Sequence, residues 1–267
     1  MNDLIMIKWG GSLITEKDKP FTPRLEIIQT LAKQIKKLTE FRPDLKIILG
    51  HGSGSFGHAV ASQFQTRNGV KSVEDWIGFS KVWHAARSLN VIVTQALHDQ
   101  GVPAVTFSPS SFISSSNGKG CEYFIYPFEK ALSTSILPVI HGDVIFDHLL
   151  GGTILSTEDI FLFLSNYYQP QKILLAGIED YIWADFPEKK FPIKSITTRN
   201  FDDIKTKIGK STSVDVTGGM IEKVRLMIDL VKKYPDTKIS IFSGLSSDCL
   251  IQEVLGETTG TLIEWSK

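Results

Sequence analysis

Two cysteines, Cys121 and Cys249, are the only thiols in a chain of 267 residues. They stand far apart and outside any metal-ligand spacing, so neither a disulfide framework nor a zinc site is encoded. Both are expected to be reduced and at least partly buried. No apolar run approaches the ~20 residues of a membrane span, and the N-terminus lacks the basic region and apolar stretch of a signal peptide. The expected location is the cytoplasm. There is no surplus of charge either: Lys plus Arg and Asp plus Glu each total 29. That balance removes the electrostatic footprint of a nucleic-acid or membrane-surface binder. Any anion must therefore be met by a local cluster. Internal repeats, low-complexity tracts and linkers are missing, as is a Walker A sequence G-x-x-x-x-G-K-[ST].

What is present is 42% hydrophobic residues, enough to bury the core of a large α/β domain. Leu4–Trp9 reads as a buried strand, ended by Gly10-Gly11-Ser12. Helical spacing follows at Leu25, Ile28, Leu31, Ile35 and Leu38. Leu45–Leu49 is a second strand, which makes a right-handed β-α-β unit. Phe64–Lys71 reads as a loop, and Val73–Gln100 as a long helix whose stripe includes Trp76, Phe79, Trp83, Ala86, Leu89, Val93 and Leu97. The stripe either packs in the core or, through Phe79 and Trp83, walls an apolar pocket. Pro103–Phe107 and Ile136–Ile140 are further strands. Ser108–Gly120 reads as a serine-rich loop, and Val144–Ser156 as a hairpin laid over a site. Thr157-Glu158-Asp159 is expected to cap the next helix. Ile173–Leu175, Ile239–Phe242 and Gly260–Trp265 are strands, whereas Asp185–Thr198 is an irregular excursion. The alternation predicts a three-layer α/β/α sandwich on a mostly parallel central sheet.

The stretch Gly50-His51-Gly52-Ser53-Gly54-Ser55-Phe56-Gly57-His58 follows a strand and leads to a helix start expected at Ala59. Glycines let backbone N–H groups approach phosphate oxygens, and a helix N-terminus adds partial positive charge. Gly52 to Gly57 also match the dinucleotide fingerprint G-x-G-x-x-G, with Glu74 and Asp75 near the acidic position about 20 residues on. A Rossmann fingerprint, however, sits on the first strand of its fold, and this one follows the second. Two more glycine junctions carry lysines: Lys8 beside Gly10-Gly11, and Gly218-Gly219 before Lys223. Lys8 is a charge at the C-terminal end of a buried strand, where ligands of open α/β sheets bind. Lys17 and Lys19 follow in a polar loop. Phosphoryl transfer needs such donors and cations, because its transition state spreads charge over several oxygens.

Lys8-Trp9-Gly10-Gly11-Ser12, the Gly52–His58 turn, His141-Gly142-Asp143, Gly152-Thr153-Ile154-Leu155-Ser156 and Asp215-Val216-Thr217-Gly218-Gly219-Met220 with Lys223 occur in the order seen in the amino acid kinase superfamily. The chain looks most like the isopentenyl phosphate kinases within it, and the histidine closing the second glycine motif is the most specific element. The related fosfomycin kinases share that histidine. The resemblance implies one domain over residues 1–267, with an acceptor half to about residue 165 and a nucleotide half from about residue 166. It implies ATP and Mg²⁺ as cofactors, isopentenyl phosphate as small-molecule acceptor, and a homodimer. By the same resemblance, His58 donates to the acceptor phosphate, and Lys8 and Lys17 contact the transferring phosphoryl. Gly52, Gly54, Gly57 and Thr157 lie on the acceptor side. Gly10, Gly11, Ser12, Ser53, Thr217, Gly219 and Lys223 serve the ATP phosphates. Where the family has Ser-Gly-Asp this chain has Ser156-Thr157-Glu158-Asp159, so Glu158 or Asp159 orients the lysines. The family's adenine-side motif is replaced by Ala176–Ile182, and its contacts do not carry over. A kinase for another small phosphate or phosphonate, and a catalytically weak nucleotide-binding protein, are the alternatives.

Overall fold

The computed structural model describes residues 3–208 and 219–267. Its centre is the strand Leu4–Trp9, buried along its whole length. This strand pairs in parallel with Lys46–His51 on one side and Lys172–Gly177 on the other. The full sheet has eight strands, in the order Ser195–Thr197, Thr261–Glu264, Lys238–Ser243, Lys172–Gly177, Leu4–Trp9, Lys46–His51, Leu137–His141, Ala104–Thr106. It is parallel except at one end, where Thr261–Glu264 runs antiparallel to Lys238–Ser243 and carries Ser195–Thr197 parallel to itself.

Side chains of the central strand alternate between two cores, as the period of two requires. Leu4 and Met6 join Phe161, Leu164, Val224 and Met227 on one face. Ile5, Ile7 and Trp9 join Leu31, Ile35, Leu89 and Val93 on the other. Helices thus cover both faces, which is the expected three-layer sandwich. Because the strand order departs in opposite directions from Leu4–Trp9, a crevice opens at its C-terminal end, where open α/β sheets bind their ligands. Lys8 follows Leu4 and Met6 in the alternation, so it emerges there on the face of the helix Thr157–Tyr168.

A second sheet lies over this end: Lys119–Tyr123, Ile113–Ser116, Asp143–Asp147 and Gly151–Leu155. Its last two strands form the expected hairpin, with Asp143 opposite Leu155. The serine-rich stretch is therefore not a loop. Asn117 and Gly118 both have positive φ and close a tight hairpin, and Ser115 turns inward to donate to Asp147 Oδ2 at 2.7 Å. The segment 185–198 is likewise more ordered than its prolines suggested. Pro192–Ile193 pairs with Ile182–Trp183, and Ser195–Thr197 is the edge strand of the main sheet. Of the two thiols, Cys249 is buried, but Cys121 is exposed on the short strand Lys119–Tyr123. No described helix is long and apolar enough to cross a membrane.

Candidate active site

The helix after the second strand begins at Gly54, inside the glycine run and not at Ala59. This brings the first two glycine turns into contact. A Cβ on Gly11 would stand 2.6 Å from the amide nitrogen of Gly54, and Gly54 itself has φ +50°. Only glycine fits both demands. Gly50 serves a second close approach: its Cβ would lie 2.5 Å from Thr157 Cγ2 and 2.9 Å from the Phe161 ring. The N-terminus of Thr157–Tyr168 can therefore press against the sheet beside Lys8.

That helix starts with a capping box. Ser156 is the N-cap, and Asp159 closes the box through its backbone and side chain, with Asp159 Oδ2 accepting from Ser156 N at 2.9 Å and Ser156 Oγ at 2.7 Å. The cap is thus Ser156, one residue earlier than the sequence suggested, and Asp159 is engaged by it. Glu158 is turned inward. Its Oε1 lies 2.5 Å from Lys8 Nζ and 3.4 Å from Lys223 Nζ, with Lys8 and Glu158 both buried. Burial alone would push the Glu158 carboxyl up, but the two lysine charges and the hydrogen bond from Lys8 outweigh it and hold it at about 2. One ionised carboxylate therefore sits between lysines from opposite ends of the sequence.

Behind the glycine turn is a buried polar chain. Thr106 donates to Asn90 Oδ1 at 2.8 Å, and Asn90 Nδ2 lies 3.0 Å from His51 Nε2. His51 Nδ1 lies 3.0 Å from the Gly52 carbonyl. A carbonyl can only accept, so Nδ1 carries the proton and Nε2 accepts from Asn90. Burial, together with the stacked His141 ring 5.4 Å away, pushes His51 down to about 3, which keeps it neutral. Its carbonyl accepts from Thr157 Oγ1 at 2.7 Å and from the Gly142 amide at 3.1 Å. His51 therefore ties together the glycine turn, the end of Leu137–His141 and the helix that carries Glu158.

These elements surround a cavity of about 870 Å³. Lys8, Gly10, Gly11, Ser12, Lys17, Gly52, Ser53, Gly54, Gly57, His58, Thr157, Glu158 and Lys223 all line it. Gly219 opens the helix Gly219–Lys233 that brings Lys223 in, but does not line the cavity. Thr217 lies outside the described residues. The apolar wall next to His58 is formed by Ala61, Val82, Ala86 and Ile154, not by Phe79 and Trp83. Phe79 is buried against Gly152, Trp76 and Phe146, and Trp83, like Val60 and Ile154, packs at the margin of the same small core. The helix turns the intervening residues inward, and nothing in a continuous apolar stripe says which of its edges meets the cavity. Asp75 closes the capping box of Val73–Asp99 on Ser72, so it is engaged at a helix end and unlike a dinucleotide ribose ligand. Elsewhere in the lining Ile178, Tyr181, Ile182, Trp183 and Met220 supply apolar and aromatic surface. Arg67 also lines the cavity, and no sequence pattern had pointed to it.

A parallel sheet with glycine turns and a lysine at its switch point defines a class of phosphate-handling α/β proteins, and comparison identifies which. The profile of the amino acid kinase family matches residues 3–243, and the chain belongs to that family. Within it, the isopentenyl phosphate kinase of Methanocaldococcus jannaschii is 32% identical over 270 residues, covering 99% of this chain and 100% of that one. The isopentenyl phosphate kinase of Haloferax volcanii is 32% identical over 271 residues, covering 97% and 98%. An X-ray structure of an isopentenyl phosphate kinase superposes with a TM-score of 0.81 at 25% identity, over 97% of this chain and 99% of that one.

Proposed function

We propose that this protein transfers the γ-phosphoryl group of ATP to isopentenyl phosphate, giving isopentenyl diphosphate. The observation that carries the reading is the single cavity in which Lys8, paired to Glu158, meets two glycine turns, His58 and a short apolar wall. The names of the relatives point the same way. An acceptor that is already a phosphate needs no strong general base, so positioning and charge stabilisation carry the chemistry. In this reading His58 and the amides of Gly52 and Gly54 hold the acceptor phosphate, while Val82, Ala86 and Ile154 take its five-carbon tail. Gly10, Gly11, Ser12 and Ser53 serve the ATP phosphates with Lys223, which the helix opened by Gly219 carries in. Lys8 and Lys17 meet the charge on the transferring group, and Glu158 holds Lys8 in line. Tyr181, Ile182 and Trp183 suit a nucleotide base.

Mg²⁺ would arrive with the nucleotide. Among the described residues there is no group of three or more His, Cys, Asp or Glu able to hold a metal ion. Held chiefly by ATP phosphates and water, the usual manner of Mg²⁺, such a cation would supply charge neutralisation at the transferring phosphoryl. The test is ADP release with MgATP against isopentenyl phosphate, dimethylallyl phosphate and fosfomycin. Turnover highest with isopentenyl phosphate is expected. Preference for fosfomycin, or ATP binding without turnover of any acceptor, would overturn the assignment.

A further inference from the structure

Arg67 belongs to the short turn Thr66–Asn68, which links the phosphate-turn helix to the cap of Val73–Asp99. The turn is fastened down: Thr66 is fully buried, and Thr153 of the overlying hairpin donates to the Arg67 carbonyl at 2.9 Å. From this anchored backbone Arg67 joins the cavity lining that also includes His58, Ile154 and Ser156. The side chain as a whole keeps 35% of its surface, yet Nη1 is shielded from water and has no hydrogen-bond partner among the described residues. Its nearest acid, Asp159, stands 3.7 Å from Nη2, beyond hydrogen-bond length, and the carboxylate oxygen concerned is taken by Ser156. A permanently charged group on a cavity wall, with about a third of its side chain open and no acid within hydrogen-bond length, is poised for an anion.

We propose that Arg67 binds the phosphate group of the acceptor, its guanidinium donating to a phosphate oxygen on the cavity wall it shares with His58. The inference rests on reading this end of the cavity as the acceptor site. The carboxylate that approaches Arg67 belongs to Asp159, the residue next to Glu158, so the guanidinium stands by the helix N-terminus that carries the partner of Lys8. Arg67 contacts a phosphate present before and after transfer, so it acts as a uniform binder of acceptor and transition state. Its loss raises KM for the acceptor and leaves kcat nearly unchanged.

The experiment measures steady-state kinetics and calorimetric acceptor binding for wild type, Arg67→Gln and Arg67→Lys, with the melting temperature of each. Expected for Arg67→Gln is a rise of about 10- to 100-fold in KM and Kd for isopentenyl phosphate, with KM for ATP and kcat within about threefold, and Arg67→Lys intermediate. Unchanged acceptor KM and Kd in Arg67→Gln would overturn the proposal and leave Arg67 a structural neighbour of Asp159. Should the variants fold poorly, arginine-specific dicarbonyl labelling of the wild-type protein decides. Isopentenyl phosphate and inorganic phosphate should each slow modification at Arg67, and labelling indifferent to both would refute the role. A wild-type enzyme that turns over no isoprenyl phosphate, yet whose Arg67 is shielded by inorganic phosphate, would overturn the function assignment and retain the anion site.

Discussion

His51→Gln tests the buried polar chain and the charge state deduced for it. His51 is fully buried and pushed down to about 3, first by burial and then by the adjacent His141. In the unfolded chain the same imidazole titrates near 6.5. Between those values the unfolded state takes up a proton that the folded state refuses. Stability is therefore complete above pH ~6.5, falls as pH drops below it, and stops falling near pH 3. The slope for one group is about 1.4 kcal/mol per pH unit, so roughly 2–3 kcal/mol is lost from pH 6.5 to pH 4.5. Glu158, the charged neighbour across the site, is also held low and adds a loss only below its unfolded value of 4.5. The window from 6.5 to 4.5 thus separates the two. Urea unfolding of wild type and His51→Gln at half-unit steps across it gives two curves. The variant should start lower by ~1–3 kcal/mol, since the Asn90 and Gly52 groups lose a partner, and should decline less steeply by the contribution of one proton. Parallel curves would mean that His51 is charged, or open to solvent, in the folded protein.

Glu158→Gln should lower kcat by about 10²-fold or more by releasing Lys8, whereas Asp159→Asn should cost about 1 kcal/mol of helix-cap stability and little activity; the reverse ranking would transfer the orienting role. His58→Ala should reduce kcat/KM for the acceptor by roughly 10²–10³-fold without loss of fold, and activity within threefold of wild type would remove this histidine from the site. Lys8→Ala should be more severe still, and a change confined to KM for ATP would make Lys8 a simple nucleotide binder. Val82→Ala should raise kcat/KM for geranyl phosphate relative to isopentenyl phosphate by about tenfold, because fit in apolar pockets discriminates by ~1–3 kcal/mol. Phe79→Ala should instead cost ~3–5 kcal/mol of stability with the substrate ratio unchanged, and a changed ratio without a drop in melting temperature would return Phe79 to the pocket wall.

Lys8 was legible because a charge at the end of an apolar strand has few explanations, and the glycine runs because nothing else permits such close backbone approach. The alternation of strands and helices carried the three layers for the same local reason. What resisted was whatever depends on rotation about an element's axis. Val82 and Ala86 belong to the stripe that contains Phe79, and only the packing of the hairpin against it decides which residues meet the cavity. Asn90 and Thr106 look like ordinary polar residues until the fold brings them to His51. The serine-rich run has the composition of a loop, yet Asn117-Gly118 within it is a strong hairpin signal, and the hairpin is what forms.

The pairing of the first strand also has a consequence for how the chain acquires its fold. Leu4–Trp9 finds one neighbour at Lys46–His51 but the other at Lys172–Gly177, and the Lys8–Glu158 contact spans 150 residues of sequence. Such separations slow folding, because loop-closure entropy is paid long before the contacts return it. Until the chain is complete past Gly177, the apolar sequence Leu4-Ile5-Met6-Ile7 has a partner on one side only and presents an open edge on the other. Such an edge invites pairing with a second chain. The strand that builds the centre of the site is therefore the segment most exposed to misassembly during synthesis, and aggregation on refolding should depend on it more than on any surface loop.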